Sequence, residues 1–295
     1  MTDEDRGEEP RLAMKPEETK GTPVVDVTIQ AASRFHVLDL GELWRYRVLL
    51  YFLVWRDVKL RFKQTVLGVA WIALRPLLSV AIFVVVFGRL AKMPSDGVPY
   101  ATFSMIAMVP WTYFASALAG ASLSLVSNAN LITKVYVPRI VLPLASVLSN
   151  LVEVAITLVL TLAVVWWDGV VPSWQAIWAV PLLLLLTSAF ALGCGLWLGA
   201  LNVRFRDVGN AVPFLLQVWM YATPVVYPLS LVPERWRWVV ALNPMAGIVD
   251  AFRAAILGRR VDELLLAEAV VTVVLVLVTG LKFFHSVERS FADTV

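Results

Sequence analysis

Basic side chains in this sequence are grouped in three short stretches, each beside a long apolar run. An ammonium or guanidinium group in such a place pairs either with acidic groups of a soluble protein or with anionic lipid headgroups. Charge alone leaves two interpretations open: the stretches anchor the chain on the cytosolic side of a membrane, or they form a docking surface for a partner. The residues are Arg56, Asp57, Lys59, Arg61 and Lys63, then Asn128, Leu131, Lys134, Val135, Pro138 and Arg139, and finally Arg204, Arg206 and Asp207.

Aromatic side chains form a second group, since 12 of the 295 residues are tryptophan. An aromatic belt at the two membrane surfaces accounts for most of them. The alternative is an inner path in which flat aromatic faces stack on the C–H faces of sugars. Its candidate residues are Trp111, Tyr113, Phe114, Trp219, Tyr221 and Tyr227.

Glu153 lies within a long apolar segment. A carboxylate inside a membrane is costly and often functional. Glu153 therefore either lines the same polar path or makes a structural contact, protonated or paired with another helix.

Residues suited to catalysis or nucleotide binding are sparse. His36 and His285 lie near opposite ends of the chain, and the single cysteine, Cys194, lies in an apolar run, so no set of metal ligands stands at the usual spacing. The sequence contains no GxxxxGK[ST] phosphate-binding loop. We expect no catalytic residue, metal or cofactor on this chain, and if transport is driven, the motor is elsewhere.

The composition is that of a membrane protein. Hydrophobic residues make up 59% of the chain and charged residues only 16%, and the mean hydropathy is +0.76. Soluble domains have an apolar share of roughly 45–50%. The basic balance does not indicate nucleic-acid binding, because the positive charges lie beside apolar spans, where they favour the cytosolic side.

Six apolar segments are long enough to cross a bilayer, which takes roughly 20 residues. We predict an all-α polytopic membrane protein with transmembrane helices over residues 68–90, 100–126, 141–167, 173–201, 208–227 and 264–284. An even number of crossings places both termini on one side. The basic residues in the loops on that side predict that it is the cytosolic side.

Between the fifth and sixth helices, two apolar pieces at 236–242 and 245–257 are each too short to cross. Asn243 and Pro244 separate them, and this pattern predicts a re-entrant external helix pair, with Trp236 and Trp238 at its start. Re-entrant backbone needs surrounding protein or a watery cavity. Five arginines in this external segment oppose the orientation: Arg235, Arg237, Arg253, Arg259 and Arg260.

The chain divides into three parts. Residues 1–35 are polar and are predicted to form a disordered cytosolic tail. Residues 36–67 contain an apolar run of only eight residues, 48–55, flanked by basic side chains, which predicts an interfacial amphipathic helix. Residues 68–295 form the transmembrane domain.

Several motifs together resemble one transporter family. They are YR at 46–47, RDVKLRFKQTVLG at 56–68, NANLITKVYVPRIVLP at 128–143, NVRFRDV at 202–208, TPVVYP at 223–228, NP at 243–244 and FAD at 291–293. From about residue 40 to 295, the chain resembles the permease subunit of ABC transporter type 2 polysaccharide exporters. That group exports O-antigen, capsule-like polysaccharides and teichoic acids.

The resemblance implies a homodimer in the cell inner membrane, with two ATP-binding cassette subunits that carry ATP and Mg²⁺ on its cytosolic side. It implies that residues 128–143 contain the coupling helix, that the segment after Tyr227 forms external gate helices, and that an undecaprenyl-linked polysaccharide crosses through the channel. Two alternatives stay open: a permease for teichoic acid or for a small lipid or drug, and a membrane glycosyltransferase or polymerase.

Overall fold

The computed structural model describes residues 40–63, 68–134 and 137–288. The predicted tail, His36, Val135 and the FAD motif at 291–293 lie outside these ranges. Within them every regular element is helical. The helices are α1 Leu40–Arg45, α2 Arg47–Phe62, α3 Gly68–Phe83 with a π-helical continuation Val84–Leu90, α4 Tyr100–Ser127, α5 Ala129–Lys134, α6 Val141–Ser149, α7 Leu151–Trp167, α8 Ala176–Arg204, α9 Asp207–Ala222, α10 Glu234–Ala241, α11 Pro244–Leu257 and α12 Glu263–Glu288.

Five helical segments of the described chain are long and apolar enough to cross a membrane: Ala70–Leu90, Tyr100–Ser127, Val141–Trp167, Ala176–Arg204 and Glu263–Glu288. A sixth is possible if the pair Glu234–Ala241 and Pro244–Leu257, bent by 103°, counts as one broken span. The prediction of an all-α, multi-pass membrane protein is confirmed for these residues.

The predicted fifth span, 208–227, differs from the structure. Helix α9 ends at Ala222, so its 16 residues cover about 24 Å, less than the roughly 30 Å of the hydrocarbon layer. Pro224 explains the end of the helix, because proline forces the preceding residue out of the helical region, and Thr223 has a ψ of 141°.

The predicted third span is present as one segment, Val141–Trp167, with an irregularity at a single residue. Helix α6 ends at Ser149 and α7 begins at Leu151, with the buried Asn150 between them. The Asn150 amide donates to the carbonyl of Ser146 at 2.6 Å. An asparagine that bonds its own backbone competes with regular helical bonding, which accounts for the irregularity.

Helix α4 lies at the centre of the bundle, where it packs against α3, α6, α7, α8, α9 and α11. Most of its residues are buried. Helix α8 in turn packs closely on α12, and a Cβ built on Gly280 would lie 2.6 Å from the carbonyl oxygen of Gly193. Helices in membranes associate where small residues let their backbones approach.

We expect Gly280→Val to lower thermal stability in detergent, because the added side chain must push α12 away from α8. Overpacking of this kind costs about 1–3 kcal/mol. Ala267→Val is the matched control, since Ala267 lies on the exposed side of the same helix. A melting temperature equally affected by both variants would contradict the importance of this crossing.

Candidate functional site

Helix α2 packs on the bundle through one face and exposes the other. Leu53 and Val58 are buried, whereas Tyr51, Phe52 and Trp55 are exposed. The buried side contacts α6. The outer side therefore carries aromatic as well as basic side chains, a combination typical of a helix at a membrane surface.

The charged residues of α2 do not all face outward. Arg56 pairs with its neighbour Asp57 at 2.8 Å. Arg61 donates to the Asn150 side-chain oxygen at 2.8 Å and to the Glu153 carboxylate at 3.2 Å. Only Lys59 and Lys63 of the predicted row are largely exposed. The docking prediction therefore applies most directly to these two lysines.

The same contact bears on the two interpretations of Glu153. Its carboxylate is paired with Arg61 of another helix, so the structure shows the paired contact. That Glu153 also lines a substrate path stays a prediction, since its side chain remains 24% exposed.

The loop at 128–143 contains the short helix α5. Asn128 ends α4 and donates to the carbonyl of Ser124 at 2.7 Å. Leu131 packs on an apolar cluster, and Lys134 is exposed. Pro138 and Arg139 are half-buried, and Val135 lies outside the described residues.

The elements that carry the three basic stretches share one apolar cluster, which we name the basal cluster. Its buried members come from α2, from the end of α4, from the segment after α5, and from α8 and α12. They are Leu53, Leu125, Val137, Ile140, Val141, Leu142, Ala145, Leu196, Ala200, Val203, Leu281 and Phe284.

The third stretch follows directly from this cluster. Val203 belongs to the basal cluster, and the next residues, Arg204, Arg206 and Asp207, are exposed. Asn202 fixes the turn, since its amide donates to the Ser122 carbonyl at 3.1 Å and its oxygen accepts from the Gly209 N–H at 2.9 Å. The structure thus brings together side chains that lie about 150 positions apart in the sequence.

The predicted aromatic path has a buried part and an exposed part. Trp111, Tyr113 and Phe114 are all buried in the core. Phe114 stacks on Phe190 with a centroid distance of 5.0 Å and meets the edge of Trp219 at 5.1 Å. These three residues therefore pack the interior of this chain, and a direct contact with substrate would require the helices to separate.

The remaining aromatics are more accessible. Tyr221 is 50% exposed, and Trp219 and Tyr227 are half-buried. Trp219 also lines an apolar groove of about 570 Å³ between α4, α8 and α9. The path assignment for these three residues stays a prediction.

Asn243 organises the predicted external pair. Its side-chain oxygen caps α11 by accepting from the Met245 N–H at 3.2 Å, and it also accepts from the Trp219 indole at 3.0 Å. Its amide donates to the Thr223 hydroxyl at 2.9 Å. Pro244 occupies the first turn of α11, where its missing N–H is not needed.

The two helices of this pair are unlike one another. Helix α11 is almost entirely buried, whereas α10 is exposed, with Trp236 and Trp238 51% and 63% accessible. Asn243 therefore joins an outer helix, an inner helix and the end of α9.

Arg253 is a functional candidate that the sequence did not single out. It is 4% exposed, and its guanidinium donates to the carbonyls of Pro224 at 2.6 Å, Val225 at 2.8 Å and Phe103 at 3.3 Å. The same group lies 3.6 Å above the centroid of the Phe103 ring. Arg253 thus ties α11 to α4 and to the turn after α9.

Arginine contacts also explain part of the segment that opposed the predicted orientation. Arg253 is satisfied internally, and Arg259 lies 3.9 Å from the Asp96 carboxylate. The rule that Lys and Arg favour the cytosolic side applies to charges in loops. A buried guanidinium bound to carbonyls therefore says nothing about the orientation of the chain. The one available hint was an arginine within the short apolar piece 245–257.

We expect Arg253→Lys to destabilise the protein by about 1–3 kcal/mol, because an ammonium cannot bridge three carbonyls and leaves buried acceptors without donors. The measurement is the melting temperature in detergent. Arg260→Lys is the control, since Arg260 is exposed beyond the end of α11. Equal melting temperatures for the Arg253 variant and the parent would refute the role of this contact.

The sequence is similar to known membrane transport proteins. The family model described as ABC-2 type transporter matches residues 48–257. The chain is 33% identical over 258 residues to the O-antigen export system permease protein RfbA of Myxococcus xanthus, covering 86% of this chain and 98% of that protein. It is 26% identical over 238 residues to the RfbA protein of Klebsiella pneumoniae, covering 81% and 91%.

A more distant relative is the polysialic acid transport protein KpsM of Escherichia coli, 23% identical over 213 residues, which cover 70% of this chain and 81% of that protein. The family model spans most of the chain, and the relatives named permeases are transport components rather than enzymes. This multi-pass membrane protein therefore belongs to the ABC-2 type transporter family.

Proposed function

We propose that this chain is the channel-forming permease subunit of an ATP-driven exporter that moves a lipid-linked, O-antigen-like polysaccharide from the cytosol across the inner membrane. The observation that carries the proposal is that the elements with the three basic stretches share the basal cluster. Membership in the ABC-2 family supports a partnership with ATP-binding cassette subunits. The names of the relatives support a polysaccharide cargo.

The docking surface proposed for the ATP-binding subunits surrounds the basal cluster. Exposed Lys59, Lys63, Lys134, Arg204 and Arg206 give it a positive charge. Asn128, Leu131, Pro138 and Arg139 shape the segment around α5. In this proposal two such subunits bind a homodimer of this chain, and they hold the ATP and Mg²⁺.

The proposed orientation has both termini in the cytosol and six crossings, in which α9 together with the segment that follows it to Tyr227 forms the fifth. Support comes from α4, whose two ends carry the two candidate regions: α5 follows its last turn, and Arg253 binds the carbonyl of Phe103 in its first turn. Further support is that α2 and α12 both contribute to the basal cluster. Helix α9 begins beside Asn202 and ends beside Asn243, which lie near opposite ends of the bundle.

The polysaccharide path proposed here follows the accessible aromatics, Trp219, Tyr221 and Tyr227. Trp111, Tyr113 and Phe114 support this wall from behind through the contact between Phe114 and Trp219. The exposed helix α10, with Asn243 and Pro244 at its hinge, is the proposed external gate. Aromatic faces suit a moving polymer because stacking does not demand fixed hydrogen-bond partners.

Charge reversal tests the docking surface. We expect Lys134→Glu to weaken co-purification with the ATP-binding subunit about tenfold, since a charge reversal at an interface replaces attraction by repulsion. Arg260→Glu, at the other end of the bundle, is the control for the change in charge. If export continued after deletion of the ATP-binding subunit, the proposed function would be wrong.

Substitution of Tyr221 tests the cargo. We expect Tyr221→Leu to lower polysaccharide export about threefold to tenfold, which matches the contribution of one aromatic contact, while Tyr221→Phe retains export. The readout is surface polysaccharide per unit of permease. Trp167→Ala is the control, because Trp167 is highly exposed and lies outside the proposed path. Full export by the leucine variant would favour a small lipid or drug, for which an aliphatic wall suffices.

A further inference from the structure

Arg61 makes a contact that none of the sequence motifs explains. It lies in the last turn of α2, and its side chain is 32% exposed. One nitrogen, Nη1, is within hydrogen-bond distance of both Asn150 Oδ1 and Glu153 Oε2. The partners are 89 and 92 positions away along the chain, so the contact belongs to the tertiary structure.

Both partners lie at the break between α6 and α7. Asn150 is fully buried and donates to the Ser146 carbonyl of α6, while Glu153 lies in the first turn of α7. Arg61 therefore ties the last turn of α2 to the start of α7, at the residue where α6 and α7 meet. A single guanidinium that bonds a carboxylate and an amide fixes their relative position better than an ordinary apolar contact.

The joint also contacts the central helix. A Cβ built on Gly120 of α4 would lie 2.3 Å from the Ser146 hydroxyl oxygen and 3.9 Å from the Asn150 amide nitrogen. Helix α4 thus passes directly against the residues that Arg61 holds. Asn150 therefore lies between Arg61 of α2 and the backbone of α4 at Gly120.

Lys59 and Lys63 flank Arg61 and are exposed, whereas Arg61 turns toward the bundle. Neighbouring residues of α2 therefore face opposite sides. The lysines face outward, where a partner can push, and Arg61 faces the joint. Lysine would replace it less well, because its ammonium lies one bond nearer the backbone than the Nη1 atom that makes both contacts.

We propose that Arg61 is a positioning residue that transmits the movement of α2 to the joint at Asn150 and so couples ATP hydrolysis to export. This inference rests on the proposed function as an ATP-driven exporter. Arg61 itself is not required for binding the ATP-binding subunit. The ion pair between Arg61 and Glu153 carries this movement.

The test is a charge swap in the full complex in membranes. Arg61→Glu and Glu153→Arg are each expected to lower export about tenfold, a coupling typical of residues in direct contact. ATP hydrolysis and co-purification of the ATP-binding subunit are expected to stay near parental levels. The double variant, Arg61→Glu with Glu153→Arg, is expected to restore most of the export.

The control Arg45→Glu makes the same charge change at an exposed residue that ends α1, just before α2 begins. Arg61→Lys is a second, milder variant that keeps the charge should the reversed protein fail to fold, and it is expected to lower export while hydrolysis continues. Normal export in the single variants would overturn the proposal, as would a double variant no better than either single one.

Two further outcomes separate this inference from the function on which it rests. Loss of the ATP-binding subunit from the Arg61→Glu complex would make Arg61 a docking residue, which overturns its role in transmission but leaves the exporter intact. Export that persists without any ATP-binding subunit would instead overturn the proposed function itself.

Discussion

Close approach of helix backbones at small residues is the constraint on which the other contacts depend. Apolar side chains gain little from leaving lipid for a protein interior, so membrane helices need tight van der Waals contact to associate. Ala121 of α4 would meet a Cβ on Gly195 of α8 at 2.5 Å, and Gly193 meets Gly280 of α12. The packed unit formed by α4, α8 and α12 contributes to the basal cluster and contacts helix α11 of the outer pair.

Polar side chains then act at the points where helices end or break. Asn150 joins α6 to α7, Asn202 joins α8 to α9, and Asn243 joins α10 to α11. Arg253 performs a similar role with three backbone carbonyls. Unpaired backbone groups are costly in a membrane. Each joint is therefore a place where helices can change direction without leaving many such groups exposed to lipid.

Several features were predictable because they depend on local composition. Long apolar runs identified the five strongest spans, and the split at Asn243 and Pro244 identified the bent pair. The end of α9 at Ala222 was missed because hydropathy continues through Val225 and Val226, while Pro224 already breaks the helix. The irregularity at Asn150 leaves Val141–Trp167 as one span, since one polar residue hardly alters the apolar character of a 27-residue segment.

The sequence by itself determined that the chain is helical and spans a membrane, and its motifs indicated the transporter family, because both depend on the order of residues along the chain. Only the tertiary structure decided the partners of the polar groups. It paired Glu153 with Arg61, enclosed Phe114 in the core and placed Arg253 on the carbonyls of Pro224 and Val225. Such contacts join residues that are distant in sequence, and helix packing alone sets which side chains meet.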